Sequence, residues 1–492
     1  MGKYVIGIDQ STQGTKAVLF DESGRLLERC DAAHEQKIDG QGWISHDPQI
    51  LYANVLRVAK QVIEKAKIDK NQVACLGLTN QRETTGVWDK RSGEPLADAI
   101  VWQCSRAKEI CSKMAEEHQQ TQQIYAATGL TLSPFYPASK MRWFMEHVPE
   151  VERAVTEGHV AFGTVDSWLL FKLSGHTVFK TDATNARRTQ LFNIHTLCWD
   201  EAVCGAFQIP MQALPEVVDS DDYFAETDLD GYLEHAIPIR AVMGDSHAAL
   251  FAHNCRQPGQ LKATYGTGSS VMLNVGEQAV VSQHGLSSSI AWKIQGTPMY
   301  VLEGNINYTG AVITWLKELG VLLDPAAATQ MAQQANPEDQ TCIVPAFSGL
   351  GAPWWKHDAH GIIVGLGRST GKNEMVRAAC DSIAFQIYDV IDAMRKDTGL
   401  PIHEIKVDGG PTRNSYLMQL QSDLIEGRLM IPKKEELSVI GAAYLAGIAA
   451  GIYDEQEVFA RTVYDTRSPA LGENERIQQL EKWKRAISVL LK

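Results

Sequence analysis

The sequence lacks the marks of several large protein classes. Across 492 residues there is no C-x-x-C pair, and the nine cysteines, at 30, 75, 104, 111, 198, 204, 255, 342 and 380, are odd in number and scattered. That pattern predicts reduced, buried thiols and a cytoplasmic setting rather than disulfides or zinc. Long apolar runs are missing: the longest small-and-apolar stretch, Val439 to Tyr453, is rich in Ala and Gly and shorter than the ~20 residues that span a bilayer. No basic segment followed by an apolar one opens the chain, and Met1-Gly2-Lys3 has Ile6 where a myristoylation signal needs Ser or Thr. Positive charge is in deficit, 46 Lys and Arg against 59 Asp and Glu, a net charge of −13. Nucleic acid and membrane are therefore not expected partners, although a small phosphate site needs only local donors. No period of 20–50 residues and no low-complexity linker occurs, which sets aside solenoids and propellers. With 44% hydrophobic and 21% charged residues the chain has the composition of a folded globular protein, long enough for two to four domains.

The familiar catalytic signatures are also absent. No G-x-x-x-x-G-K-[ST] is present (Gly371-Lys372 is followed by Asn373), and no complete G-x-G-x-x-G, H-E-x-x-H or G-x-S-x-G is found. P-loop, dinucleotide-binding, zincin and α/β-hydrolase chemistries are thereby disfavoured. The formal glycosylation sequon Asn307-Tyr308-Thr309 reads as incidental without a secretion signal.

What is present is a recurring polar turn between apolar runs. Tyr4 to Ile8, Ala17 to Phe20 and Leu26-Leu27 read as strands separated by Asp9–Thr15 and by Asp21-Glu22-Ser23-Gly24. Pro48 to Ala66 repeats Ile50, Leu51, Val55, Val58, Val62 and Ile63 at helical spacing. Val73 to Leu78 predicts a strand, and Glu150–Glu157 and Asp166–Lys172 predict helices. Downstream, Ile237 to Met243 predicts a strand, Gly244-Asp245-Ser246-His247 a turn, and Ala248–Ala252 a helix start. Lys262–Tyr265, Gly266-Thr267-Gly268-Ser269-Ser270 and Val271–Val275 then repeat the strand–turn–strand form of the N-terminus. The chain reads as two related halves, residues 1–253 and 254–492, divided near Asn254, Pro258 and Gly259.

Each turn has a plain structural reading and a chemical one. Amides and hydroxyls of Ser11, Thr12, Gly14 and Thr15 suit phosphate oxygens, Lys16 adds a charge, and Asp9 suits Mg²⁺, often through water; an ordinary hairpin explains the same residues. Tyr265–Ser269 repeats that chemistry, and Val407-Asp408-Gly409-Gly410 before Asn414 offers glycines against which a flat ring can lie. Three such turns fit a nucleotide held between two half-sites. Asp245, at a strand end, suits the removal of a hydroxyl proton and equally suits an N-cap. Arg82 and Glu83 in Asn80-Gln81-Arg82-Glu83-Thr84 suit vicinal hydroxyls. Trp102 suits the carbon skeleton of a small polyol, or a core position.

These pieces together resemble the FGGY carbohydrate kinases, and within them the glycerol kinases, over essentially the whole chain. The stretches that carry the resemblance are GLTNQRETTGVWD (77–89), AIVWQC (99–104), FGTVDSWL (162–169), LFNIHTLCWD (191–200), YGTGS (265–269), VPAFSGLGAPWW (344–355) and GAAYLAG (441–447). The resemblance implies an α/β chain of two RNase-H-like (actin/hexokinase-like ATPase) domains with a catalytic cleft between them. It implies ATP and Mg²⁺ as cofactors and phosphorylation of a terminal hydroxyl of glycerol or a related small polyol. It implies a homodimer or homotetramer. It makes Asp245 the catalytic base, places Arg82, Glu83, Trp102, Phe135, Ser246 and Ser270 at the substrate, and lets Asp9 organise Mg²⁺. Thr12, Gln13, Lys16, Thr267, Gly310, Thr314, Gly410 and Asn414 become the nucleotide side.

The chain departs from the family's pattern at several of these positions. Lys16 stands for the usual Arg, Gln13 and Gly14 for Thr and Ser, and Thr314 for Gln. At the substrate, Phe135 stands for Tyr, Ser246 for Gln and Ser270 for Phe. The last exchange implies a wider, more polar pocket that admits a tetritol or a ketose. A non-kinase ATPase or scaffold on the same fold is the reading from a different class, and Arg82, Glu83, Trp102 and Asp245 would have no purpose in it.

Overall fold

The computed structural model describes residues 3–356, 358–433 and 436–491. The first apolar runs form an antiparallel meander of β1 (Tyr4–Gln10), β2 (Gly14–Phe20) and β3 (Leu26–Ala33). β3 runs past the Leu26-Leu27 pair because it pairs with the whole length of β2, ending with Gly14 opposite Ala33. Helix α1 (Pro48–Ala66) then crosses the sheet. Asp47 caps it by accepting from the Gln49 N–H at 2.9 Å, and Pro48 sits in the first turn, where a missing N–H costs nothing. Leu51, Val55, Val58, Val62 and Ile63 face the sheet, whereas Ile50, expected with them, lies one residue round the helix and is 46% exposed. β4 (Val73–Asn80), β5 (Ala225–Thr227) and β6 (Ile237–Gly244) complete the order β5-β6-β4-β1-β2-β3, with β1, β4 and β6 parallel. The expected helices appear as Pro149–Thr156 and Val165–Leu173.

The turn expected over Gly244–His247 is shorter than that. Helix α2 (Asp245–Ala252) begins at Asp245, with Gly244 as its N-cap. Asp245 is thus one residue inside the helix rather than its cap.

A second sheet follows, of β7 (Leu261–Tyr265), β8 (Ser269–Gly276), β9 (Ser287–Ile294) and β10 (Thr297–Ile306), then β11 (Glu404–Asp408), β12 (Arg428–Pro432) and β13 (Tyr464–Arg467). Its order is β9-β10-β8-β7-β11-β12-β13. In both sheets a three-strand antiparallel meander continues, from its first strand, into two parallel strands (β3-β2-β1-β4-β6 and β10-β8-β7-β11-β12). This is the doubled RNase-H-like pattern expected from the sequence. The second sheet is covered by α3 (Lys372–Thr398) and α4 (Ser415–Ile425), and each lobe has its own apolar core. A smaller five-stranded sheet grows from the first lobe and includes Thr85–Asp89 and Ala99–Ile100.

The lobes are joined by backbone-to-backbone packing. Helix α5 (Leu437–Ala449), late in the chain, returns to lie against the first sheet and α2. A methyl group at Gly77 would stand 2.2 Å from the Ala442 carbonyl oxygen, and one at Gly441 would stand 1.9 Å from that of Ala248. Both distances are far inside van der Waals contact, so only glycine allows this approach. All nine cysteines are free. Cys198 is exposed and Cys30 half-buried, which corrects the expectation that every thiol is buried; both lie on strands with one open face. Among the described residues, no helix is long and apolar enough to cross a membrane.

Gly441→Ala is expected to lower the unfolding free energy by about 1–3 kcal/mol. Gly40→Ala, with nothing near its would-be methyl, should change it by less than about 0.5 kcal/mol. Urea denaturation of the two variants checks this.

Candidate active site

The β1–β2 hairpin presents the first polar turn. Ser11 closes it, its N–H and Oγ both donating to the Gly14 carbonyl at 2.9 and 2.8 Å. Gln13 is exposed at the tip and Thr12 half-buried. Asp9 is buried at the base of the hairpin. Burial pushes its carboxyl up to about 7, Lys16 opposes this and Asp245 adds to it. Asp9 Oδ1 has no hydrogen-bond partner, an open acceptor suited to a hard cation or its water. Lys16 pairs across the hairpin with Asp9 in register, but its Nζ lies 3.0 Å from Glu436 Oε2, where Arg29 also docks.

The opposite wall is a chain of buried charges. Arg82 Nε lies 3.2 Å from Asp245 Oδ1, and Arg82 Nη1 lies 3.0 Å from Glu303 Oε1. Arg188 binds the other oxygen of Glu303 at 2.6 Å and donates from Nε to Glu83. Burial alone would disfavour the charge of Arg82, and Glu303, Glu83 and Asp245 reverse this and hold it protonated. Burial likewise opposes the charge of Glu303, and Arg188 and Arg82 overcome it and hold its carboxyl well below the usual range. Ser270 Oγ stands 3.4 Å from the same carboxylate.

Glu83 takes a left-handed φ of 62°, an uncommon conformation for a residue with a side chain. It turns the chain directly after β4. Trp102 donates its indole N–H to Thr12 Oγ1 at 3.0 Å and meets Phe135 edge-to-face at 5.6 Å, while Arg188 lies over the Phe135 ring. Asp245 has a side chain 36% exposed. Its Oδ1 takes the Ser246 N–H at 2.6 Å as well as Arg82, which leaves Oδ2 without a hydrogen-bond partner among the described residues. Thus Arg82, Glu83, Trp102, Phe135, Asp245 and Ser270 stand on one continuous wall, and Ser246 follows Asp245 on α2.

The second half-site is made of backbone. Gly310 approaches the β7–β8 turn, its N–H donating to the Gly266 carbonyl at 2.9 Å, and a methyl group at Gly310 would stand 2.5 Å from that oxygen. Gly409, at a φ of 96°, packs on Tyr265 so closely that a side chain would overlap its carbonyl. Thr267 and Gly410 are exposed beside these contacts. Asn414 caps α4, accepting from the Leu417 N–H at 3.1 Å and from Thr329 at 2.9 Å. Thr314 is exposed and turned onto its own helix, its Oγ1 lying 3.4 Å from the Gly310 carbonyl.

With this geometry, comparison with known proteins is decisive. Residues 4–252 match the N-terminal domain of the FGGY family of carbohydrate kinases, and residues 261–450 match its C-terminal domain. The chain belongs to the FGGY family of carbohydrate kinases. It is 43% identical to glycerol kinase 1 of Thermotoga maritima, over 99% of both chains. It is 41% identical to the glycerol kinase of Symbiobacterium thermophilum, over 98% of this chain and 97% of that one. The crystal structure of the Plasmodium falciparum glycerol kinase with ADP superposes with a TM-score of 0.94 at 33% identity, covering 100% of this chain and 98% of that one. This FGGY protein is therefore a phosphotransferase with an alcohol group as acceptor.

Sequence reasoning missed Glu303, Arg187, Arg188 and Lys140, all fully buried. A signal existed. Glu303 interrupts the apolar run Tyr300–Leu302, and Arg187-Arg188 interrupts a stretch of small residues; such charges inside a core need partners. Arg187 is the least satisfied of them. Burial, then Arg188, lowers it to about 9, and its Nε and Nη1 have no partner among the described residues.

Asp9 yields a signed expectation. Its pKa rises from 3.8 to about 7 on folding, so between those values the folded chain holds a proton that the unfolded chain does not. The stability Asp9 contributes should fall as pH rises through that window and level off above it. Denaturation of the ligand-free protein across pH, compared with Asp9→Asn, should show wild type losing ground in that interval only.

Proposed function

We propose that the protein transfers the γ-phosphoryl group of Mg-ATP to a terminal hydroxyl of glycerol or a closely related small polyol. The observation that carries this reading is Asp245. It is a half-open carboxylate with one oxygen fixed by Arg82 and the Ser246 N–H and the other without a hydrogen-bond partner among the described residues. Arg82 and Glu83 hold the substrate's other hydroxyls, and Trp102 and Phe135 flank its carbons. As the hydroxyl oxygen forms its bond to phosphorus, its proton passes to Asp245 Oδ2 and ADP leaves. The step needs mainly alignment and charge stabilisation. Thr12, Gln13 and Lys16 line the phosphates on one side and Thr267 on the other; Gly310, Thr314, Gly410 and Asn414 line the rest of the nucleotide. Asp9, with its unpartnered Oδ1, is the residue that would hold Mg²⁺, which supplies charge neutralisation across the phosphates when bound. Closure of the lobes excludes water that would otherwise consume ATP.

A tetritol or ketose is the second reading, favoured by Ser270. Its hydroxyl faces Glu303 where the family has a phenylalanine, and a longer or more polar acceptor finds a partner there. The matched family segments, ending at 252 and resuming at 261, support lobes of residues 1–253 and 254–492. A cytoplasmic homodimer or homotetramer, with no nucleic acid or membrane partner, completes the proposal.

ADP release from Mg-ATP with glycerol, erythritol, threitol, dihydroxyacetone, xylulose and ribulose tests it. Saturable turnover with glycerol at low concentration supports the first reading. A strong response to a longer compound with weak glycerol turnover supports the second, and no turnover with any of them rejects both. Ser270→Phe should shift the profile toward glycerol; an unchanged profile would show that Ser270 does not set the pocket. Asp245→Asn should lower kcat by about 10²–10⁴ with an unchanged circular dichroism spectrum.

A further inference from the structure

Helix Pro137–His147 carries a lysine where local physics disfavours one. Lys140 lies in the first turn, at the positive end of the helix dipole, and is completely buried. No carboxylate side chain binds it directly. Its Nζ stands 2.8 Å from the Phe135 carbonyl oxygen, 3.3 Å from that of Trp102 and 3.5 Å from that of Glu83. An ammonium group has three N–H donors, and here each meets a different backbone carbonyl.

Those three carbonyls belong to three segments far apart in sequence. All three residues stand on the wall assigned above to the acceptor, and their side chains face it from different loops. We propose that Lys140 is a positioning residue for the acceptor: by gathering the backbones of Glu83, Trp102 and Phe135 on one ammonium group, it fixes the wall on which the polyol docks. The inference rests on the kinase reading and extends it to a residue that touches neither substrate nor nucleotide. Glu83 benefits most, because its left-handed backbone is otherwise pinned at the carbonyl, among the described residues, only by Thr85 Oγ1, at 3.0 Å.

The arrangement has a protonation consequence. Burial pulls Lys140 down to about 7; of the titratable groups that face it, Glu83, Cys104 and Cys111 favour its charge and Arg106 opposes it. A neutral amine keeps two donors and turns a lone pair toward the third carbonyl. The wall should therefore loosen as pH rises through about 7.

The test is steady-state kinetics of wild type and Lys140→Met, with acceptor and ATP varied separately, together with calorimetric acceptor binding without nucleotide. In a folded Lys140→Met the acceptor KM should rise about tenfold or more while the ATP KM stays within about twofold. Wild-type acceptor affinity should fall between about pH 6 and about pH 8.5, and the variant's should not. An unchanged acceptor KM, or an equal rise in both KM values, overturns the proposal. If Lys140→Met does not fold, the wild-type pH profile decides alone, and a flat profile overturns it. Wild type that turns over no acceptor rejects the kinase reading itself, and this inference with it.

Discussion

One carboxylate of the second lobe is gripped by two arginines of the first. Glu303, on β10, gives one oxygen to Arg82 and the other to Arg188, and all three side chains are almost entirely withdrawn from water. Bringing three charges out of water is costly, and removing one partner of such a set costs about 3–5 kcal/mol, because it strands the rest. The set is therefore held complete. The nitrogen of Arg82 that reaches Asp245 is placed by the same guanidinium whose other end is fixed on Glu303. Orientation of the Asp245 carboxylate in the first lobe thus depends, through Arg82, on a side chain delivered by the second. Phosphoryl transfer in competition with water benefits from that coupling.

Glycine makes the lobe arrangement possible in a different way. Gly77 and Gly441 let α5 rest on the first sheet and on α2 with backbone contact. That contact ties the segment before α5, including Glu436, to the hairpin that carries Lys16. The two sheets repeat one topology and each presents a hairpin turn, yet their chemistry differs. The first hairpin leans on charge, with Asp9 and Lys16 opposite each other. The second has exposed hydroxyl and amide groups held by glycine contacts at Gly310 and Gly409. Duplicated architecture thus carries a charged hairpin in one lobe and a glycine-supported hairpin in the other.

Much of this was legible in the sequence, for identifiable reasons. The hairpins were readable because small polar residues between short apolar runs have few other conformations. α1 was readable because Leu51, Val55, Val58, Val62 and Ile63 recur at helical spacing between Pro48 and Ala66, and the Asp47 cap that fixes its start came only with the structure. Arg82 and Glu83 stood out because two opposite charges between apolar runs have few ordinary uses, and the structure shows both buried in ion pairs. Glu303, Arg188 and Lys140 were not singled out. Glu303 and Arg188 break runs of apolar or small residues, which marks them as charges in need of partners, but only the fold shows which distant backbone or charge each of the three meets. Lys16 shows the converse: the hairpin placed it correctly, but its salt bridge to Glu436 joins positions more than four hundred residues apart, and no local pattern encodes that.

Burial has moved two of the site's ionisable groups toward neutrality from opposite directions. Asp9, under the phosphate hairpin, rises to about 7, and Lys140, behind the acceptor wall, falls to about 7. The Asp9 carboxylate is favoured above that value, and the Lys140 ammonium, held by the carbonyls of Glu83, Trp102 and Phe135, is favoured below it. In the ligand-free chain the state with both charges is at its maximum near neutral pH and declines on either side. A cation bound at Asp9, as proposed, would favour the carboxylate and lower its pKa, which would extend the doubly charged state to lower pH without moving its upper limit.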